Sequence, residues 1–565
     1  EQSALKYHYS AAGAMNAVTH VLPDGREVTE TPTYDEHGQL QQMTYGVADQ
    51  ELASTSFGVD DAGRQSWLSV GSMVRQFKFD QRDRIISDTV MRLGGEAATA
   101  NIVDRVFSWR ADNTLTQVTN NVHNSVTDYT VDVLNHVTGV THVDAAQDQK
   151  SSESYEFSRA GMVTKLHPDA SAKWADDVDS YGGTMPRQVG RTTFTYDKAG
   201  RVTQTVTKRL SKKPLVKHFY YGSGTQPVGY EDSDHPGVGW RYLYDGLDRR
   251  VGKEQIDTAT GDVLSRVVFM HYGNDLFGEQ YTVDVNQPHM VGAGTLWPVN
   301  PITDEILGQT ELAPSGSPDS TFYAMISDFA GAPKELVDVT TGGIVGYSKQ
   351  SLFGKRQWFG GKSSPLLFAG QYEDAESGWV YNRFRYYNTT FGMYNAQDPL
   401  GVGPNLASAQ AYVDNPTTWV DAMGLAAHKV KSGTPPFVLR AHNKGVVGEH
   451  AVDNIIKRSG GKGIGKRVTY VDANGAKRIS DGSVGKNLVE VKNVKSQGYS
   501  SQIHAAVEKS VERGGKLDLY VARGTKVSPT IRNHPNINLH RIPRRDIVQA
   551  SKEVFHHPTK TILHY

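Results

Sequence analysis

A short unit recurs along the first three quarters of the chain and limits the possible folds more than any other feature. It is an aromatic or β-branched residue, then Asp or another polar residue, then a turn containing Gly or Asn. Its copies are Tyr34-Asp35-Glu36-His37-Gly38, Val59-Asp60-Asp61-Ala62-Gly63-Arg64, Phe79-Asp80-Gln81-Arg82-Asp83-Arg84, Trp109-Arg110-Ala111-Asp112-Asn113, Phe157-Ser158-Arg159-Ala160-Gly161, Tyr196-Asp197-Lys198-Ala199-Gly200-Arg201 and Tyr244-Asp245-Gly246-Leu247-Asp248-Arg249. Segments such as Thr203-Gln204-Thr205-Val206-Thr207 flank the turns with the period of two that strands require. Asp bonds its own turn backbone and Gly tolerates left-handed dihedrals, so each unit reads as strand, tight turn and return strand. The chain is expected to form a long antiparallel β-sheet laid down hairpin by hairpin. Glu1 in place of Met, and an imperfect copy at Tyr9-Ser10-Ala11-Ala12-Gly13, give the further expectation that it starts inside the array, with an upstream portion missing.

The character of the chain changes after Leu425. Residues 1–425 carry 35 Lys+Arg against 51 Asp+Glu and all 8 tryptophans, whereas 426–565 carry 25 against 10 and no tryptophan. A tail with that positive excess calls for an anionic partner, and nucleic acid is the commonest. No apolar run approaches the roughly 18 residues of a membrane helix, and no charged stretch followed by an apolar one marks a cleaved signal peptide. The absence of Cys excludes disulfides, thiolate metal sites and cysteine nucleophiles, so any metal must take oxygen or imidazole ligands.

The repeats resemble the tyrosine-aspartate units of the Rhs family, and the resemblance is most specific between 322 and 425. Asp328-Phe329-Ala330-Gly331-Ala332-Pro333-Lys334-Glu335-Leu336 is similar to the segment that precedes the family's core. Phe368-Ala369-Gly370-Gln371-Tyr372-Glu373-Asp374 through Ser377-Gly378-Trp379-Val380-Tyr381-Asn382-Arg383-Phe384-Arg385-Tyr386-Tyr387 is similar to the core itself, completed by Gly392, Gln397-Asp398-Pro399-Leu400-Gly401 and Asn415-Pro416. Met393 stands where the family commonly has Arg, the first Asp-Pro motif ends in Val402, and the second reads Asp421-Ala422-Met423-Gly424-Leu425 with Ala for Pro. The resemblance implies three parts: a β-repeat shell over 1–320, a core with a self-cleavage motif over 321–425, and an enclosed toxin over 426–565. It also implies synthesis in a bacterial cytoplasm, delivery into competing bacteria, often by a type VI secretion apparatus engaging the missing upstream region, and a cognate immunity protein. Opposed charges lead us to expect that the tail stays bound to the repeats after scission, and an incomplete shell is expected to be closed by a second copy, as a homodimer.

Asp398 and Asp421 have a chemical reading of their own. Paired carboxylates can share a proton, one acting as base toward water and the other as acid toward a peptide carbonyl. The family implication is cleavage after the final Leu, here Leu425-Ala426, which is also where charge and tryptophan content switch. The alternative is that both Asp residues only shape turns, as Asp does before Pro or Gly.

The tail reads as a separate α/β domain, so the fold class is mostly β followed by a small α/β nuclease. Helical spacing covers 445–458, strands are expected at Arg467–Val471, Lys477–Asp481 and Asn487–Lys492, a second helix at Ser501–Arg513, and a strand at Leu517–Val521. Asp481 ends one strand and Glu490 and Lys492 share a face of the next, with Glu449 on the first helix within reach. This resembles the PD-(D/E)xK nucleases. The resemblance implies Asp481, Glu490 and Glu449 as ligands of Mg²⁺ or Mn²⁺, Lys492 as the group that positions water and stabilises charge at phosphorus, and Gln502 as the polar residue of the next helix. DNA is the favoured substrate and RNA the alternative. A His-Asn-His type nuclease drawn from His442-Asn443 with His450, or from His534, Asn538 and His540, lacks the required hairpin and helix. His556-His557 reads as a solvated pair. A display module that binds nucleic acid or a surface without catalysis is the rival of a different class.

Overall fold

The computed structural model describes residues 4–543 and 546, except 10–14, 23, 35–39, 61–63, 94–100, 146–147, 159–162, 168–175, 181–184, 273–274, 283–290, 301–304, 315–319, 391, 402–408, 426–427, 430–448, 472–476, 493–495, 498 and 524. The expected turns at Tyr34–Gly38 and Phe157–Gly161 lie in part outside the described residues, as do Ala426, His442-Asn443 and His556-His557. The chain forms two compact units, Glu1–Val438 and Leu439–Tyr565.

The first unit contains one 30-stranded sheet that begins at Ala4–Tyr9 and ends at Arg356–Gly360. Every strand pairs antiparallel with its neighbour in sequence, as in Thr192–Tyr196 against Val202–Thr207 and Val238–Tyr244 against Arg250–Asp257. The alternating burial of strands such as Leu40–Val47 is the period of two seen in the sequence.

The turn chemistry explains why the unit repeats. At Asp197 the backbone N–H donates to the Arg201 carbonyl at 3.0 Å, and the carboxylate Oδ1 accepts from the N–H groups of Ala199 at 2.9 Å and Arg201 at 3.0 Å. Its Oδ2 takes the Arg201 Nε at 2.7 Å. Asp80 with Arg84, and Asp245 with Arg249, repeat the pattern. The fourth residue of each turn is left-handed, with φ of 62° at Asp83, 74° at Gly200 and 58° at Asp248, which is why Gly, Asn or Asp recurs there. The same Arg then reaches onward: Arg64 lies 4.4 Å over the Phe79 ring, and Arg201 lies 4.8 Å over the Tyr221 ring. One Arg thus closes its own turn and stacks on an aromatic of the next hairpin.

Residues of the core segment return to strands laid down much earlier. Arg250 sits between the rings of Tyr242, Phe269, Tyr372, Tyr381 and Tyr386, at 4.5 to 5.9 Å, and donates to the Asp374 carboxylate, which also takes Lys253 at 3.0 Å. Burial would raise the Asp374 carboxyl, but Arg250 and Lys253 outweigh it and hold it below the usual range. Asp374→Ala, which strands a buried guanidinium, is expected to cost about 3–5 kcal/mol, read as a lower denaturant midpoint for the first unit.

The second unit is an α/β layer. A helix over 449–458 places Ala451, Val452 and Ile456 against Val489, Val491 and Ile542 on one face of a four-stranded sheet. That sheet runs Gly482–Val484, Asn487–Lys492, Leu517–Ala522, Ile537–Ile542, with the last three strands parallel. The helix Ser501–Glu512, capped by Ser500, covers the other face through Ile503, Ala506 and Val507, which cluster with Leu488, Leu517 and Leu519. One expectation is corrected. The strand ending in Asp481 stops at Ile479, leaving Asp481 in a bend between Lys477–Ile479 and Gly482–Val484. A further strand at Ile537–Ile542 completes the parallel set.

Candidate active sites

Asp398 and Asp421 meet at one guanidinium. Arg385 Nη2 lies 2.8 Å from Asp398 Oδ2 and 3.2 Å from Asp421 Oδ2, while its Nε donates to the Gly424 carbonyl at 2.6 Å and its Nη1 to the Ala409 carbonyl at 3.0 Å. All three side chains are buried. Asp421 repeats the turn geometry of the array. Its Oδ1 accepts from the N–H groups of Met423 at 3.3 Å and Leu425 at 2.9 Å, and Gly424 occupies the left-handed fourth place at φ 68°. The fifth place, Arg in the array turns above, is Leu425. Asp421 Oδ2 is therefore left for other donors, and it accepts from the Tyr394 hydroxyl at 2.8 Å as well as from Arg385.

The surroundings hold this turn in place. Gly370 is also left-handed, and a Cβ there would stand 2.0 Å from the Ala422 carbonyl, so only Gly permits this approach. Trp419–Val420 pairs antiparallel with His428–Lys429, so the stretch containing the Leu425-Ala426 bond is flanked by paired backbone on both sides. Asp398 takes the Leu400 N–H on Oδ1 at 2.8 Å. Burial pushes its carboxyl up, Arg385 pulls it back, and the charge of Asp421 adds to the rise.

In the second unit, Glu490 is fully buried and accepts three hydrogen bonds: from Lys492 Nζ at 2.9 Å and Gln502 Nε2 at 3.3 Å on Oε2, and from the Tyr470 hydroxyl at 3.1 Å on Oε1. Asp481 Oδ2 takes the Val491 N–H at 2.6 Å, which brings it beside the same strand. Burial raises both carboxyls, and the charge of Asp481 raises Glu490 further. Burial alone would lower Lys492, yet Glu490 and Asp481 hold it above its ordinary value, so it stands as a fixed cation. Glu449 belongs to the helix on the opposite face. It pairs with Arg467 at 2.8 Å and acts on Asp481 and Glu490 through its charge.

Among the described residues no three His, Asp or Glu side chains converge as a metal cage. The donor set that is assembled, two hard carboxylates whose charges oppose one another beside a lysine, fits a divalent cation that keeps most of its water. Asp481, Glu490, Lys492 and Gln502 are thus brought together by hydrogen bonds along one strand, and Glu449 interacts with Asp481, Glu490 and Lys492 through its charge. Tyr470 and Arg467 were not singled out in the sequence, and neither were Arg385 and Tyr394 given roles. The rival histidines do not form one site: His534 bonds Tyr499 at 3.1 Å, whereas Asn538 and His540 both bond Asp518.

Residues 452–531 match the family model described as restriction endonuclease fold toxin 7. The second unit carries a restriction-endonuclease-fold domain, and the repeat array is similar to that of Rhs proteins. The chain is 29% identical over 327 residues to "Probable deoxyribonuclease RhsA" of Dickeya dadantii, covering 53% of this chain and 21% of that protein. It is 46% identical over 82 residues to "Toxin protein Tse5" of Pseudomonas aeruginosa, covering 14% of this chain and 6% of that protein. The chain thus spans only about a fifth of the length of the Dickeya relative. The solved TcdB2-TccC3-TEV structure superposes with a TM-score of 0.55 at 16% identity, over 75% of this chain and 21% of that one, which speaks for the repeat fold alone. No helix among the described residues is long and apolar enough to cross a membrane.

Proposed function

We propose that the C-terminal domain hydrolyses nucleic-acid phosphodiesters, DNA in preference to RNA, with Mg²⁺ or Mn²⁺, and that the chain cuts itself between Leu425 and Ala426 to free that domain. The observation that carries the nuclease reading is the fully buried Glu490 held by Lys492, Gln502 and Tyr470, with Asp481 beside it. Asp481 and Glu490 would hold the ion, which when bound polarises the phosphate and the attacking water. Lys492 keeps its charge where negative charge grows on the phosphate oxygens, and Gln502 and Tyr470 fix the Glu490 carboxylate against rotation. The word deoxyribonuclease in the name of the Dickeya relative favours DNA.

Self-cleavage draws support from the shared Arg385 and from the Leu425 N–H bonded to Asp421. In this proposal the whole protein is an antibacterial effector, delivered through a type VI apparatus into a neighbouring cell and neutralised in the producer by an immunity protein. Plasmid DNA and total RNA are incubated side by side with the protein, with Mg²⁺ or with chelator. Degradation of DNA that chelator stops is the expected result. Binding without hydrolysis in every condition would make the domain a nucleic-acid-binding module instead.

A further inference from the structure

The carboxylates at Arg385 differ in what surrounds them. Asp421 accepts four hydrogen bonds, from the Met423 and Leu425 N–H groups on Oδ1 and from Tyr394 and Arg385 on Oδ2. The direction of the Tyr394 bond is fixed by Asn382. The Asn382 amide nitrogen donates to the Asp421 backbone carbonyl at 2.7 Å and to the Tyr394 hydroxyl oxygen at 2.8 Å. With its oxygen accepting a hydrogen bond from Asn382, Tyr394 directs its own hydrogen to Asp421. The ring of Tyr394 lies 3.7 Å from the Arg385 guanidinium carbon, which locks ring and cation together. A proton placed on Asp421 would point at a donor whichever oxygen carried it. Asp398 has two donors, the Leu400 N–H and Arg385, and burial favours its neutral form.

We propose that Tyr394 is a positioning residue that divides the labour of the two carboxylates, keeping Asp421 as the anion so that Asp398 is the one that carries and transfers the proton. This rests on the self-cleavage reading. In the step it implies, the oxygen of water bonds to the Leu425 carbonyl carbon and the bond from that carbon to the Ala426 nitrogen breaks. Asp398 gives its proton to the departing nitrogen and regains one from the attacking water, so that a carboxyl and an amine are formed and the site is unchanged. Asp421 meanwhile holds the Leu425 N–H and balances Arg385. The sequence offers no hint of this, because Tyr394 lies in a run of buried aromatics, with Tyr387 and Tyr412 packed against it.

The test is the pH dependence of self-cleavage in the full chain made by cell-free synthesis, with the fraction cut followed on gels after shifting pH. The acid limb of the rate profile reports the group that must be ionised. Tyr394→Phe removes one donor from Asp421 and is expected to move that limb upward by about one pH unit. Fluorotyrosine at 394 keeps the ring and makes the hydroxyl a stronger donor, so it is expected to move the limb downward, and it guards against a Phe variant that fails to fold. An acid limb unmoved in the cleaving variants overturns the assignment while leaving the dyad intact. Undiminished cleavage by both Asp398→Asn and Asp421→Asn would instead overturn the self-cleavage reading beneath it.

Discussion

Glu490→Gln is expected to lower metal-dependent hydrolysis of nucleic acid by on the order of 10³-fold or more while the domain stays folded. The substitution keeps the shape of a side chain that is fully buried. Its amide oxygen can still accept from Tyr470 or from Lys492, but the NH₂ group then faces another donor on the other side. The negative charge that opposes Asp481 and holds Lys492 is gone, and with it one of two oxygens able to bind a hard cation. Lys492→Ala should be comparably damaging, because the cation facing the phosphate is removed and Glu490 is left buried with less compensation. Thermal melts of both variants separate lost chemistry from lost structure. A folded Glu490→Gln protein that degrades DNA as fast as the parent would sink the assignment.

The second large effect concerns the covalent state of the chain. Freshly made protein is expected to split between Leu425 and Ala426 without added protease, and Asp398→Asn or Asp421→Asn to remain as a single 62.1 kDa band. The two variants fail for different reasons. Asn at 398 can keep the Leu400 N–H bond but has no acidic proton to give. Asn at 421 can keep the bonds from Met423 and Leu425, preserving the turn, but takes away the anion that balances Arg385, so Asp398 must ionise in its place and has no proton to give. Mass spectrometry of the released fragment fixes the cut. A new N-terminus elsewhere than Ala426 removes the dyad from consideration.

What the sequence made legible was local. The strand Asn487–Lys492 falls on its expected bounds, and the helix expected over Ser501–Arg513 ends one residue earlier, with Arg513 as its cap. Repeat turns were readable because Asp, the left-handed residue and Arg lie within five positions of one another and interact with each other. The strand Ile537–Ile542 escaped because its alternation is short and breaks at Arg541, and Asn538 and His540 find Asp518 only across the sheet, 20 and 22 residues back in the chain. Arg385 escaped for a similar reason. In Asn382-Arg383-Phe384-Arg385 it reads as one charge among several, and its burial makes sense only through partners at 398, 409, 421 and 424. Tyr470 is the same case in the second unit, an aromatic in a short strand whose hydroxyl finds a carboxylate twenty residues on.

The neighbour-to-neighbour sheet also sets an order of events during synthesis. Each hairpin can close on the one just made, without waiting for anything downstream. The core segment cannot. Ser377 receives Lys217, Arg383 receives Gln226, Asn395 donates to Tyr221, and Asn415 donates to Asn135. The frame around Arg385, Asp398 and Asp421 is therefore assembled last, on strands that must already be standing. On the self-cleavage proposal, a ribosome-bound chain would stay uncut until the array behind the site was finished, so that scission would certify a completed scaffold.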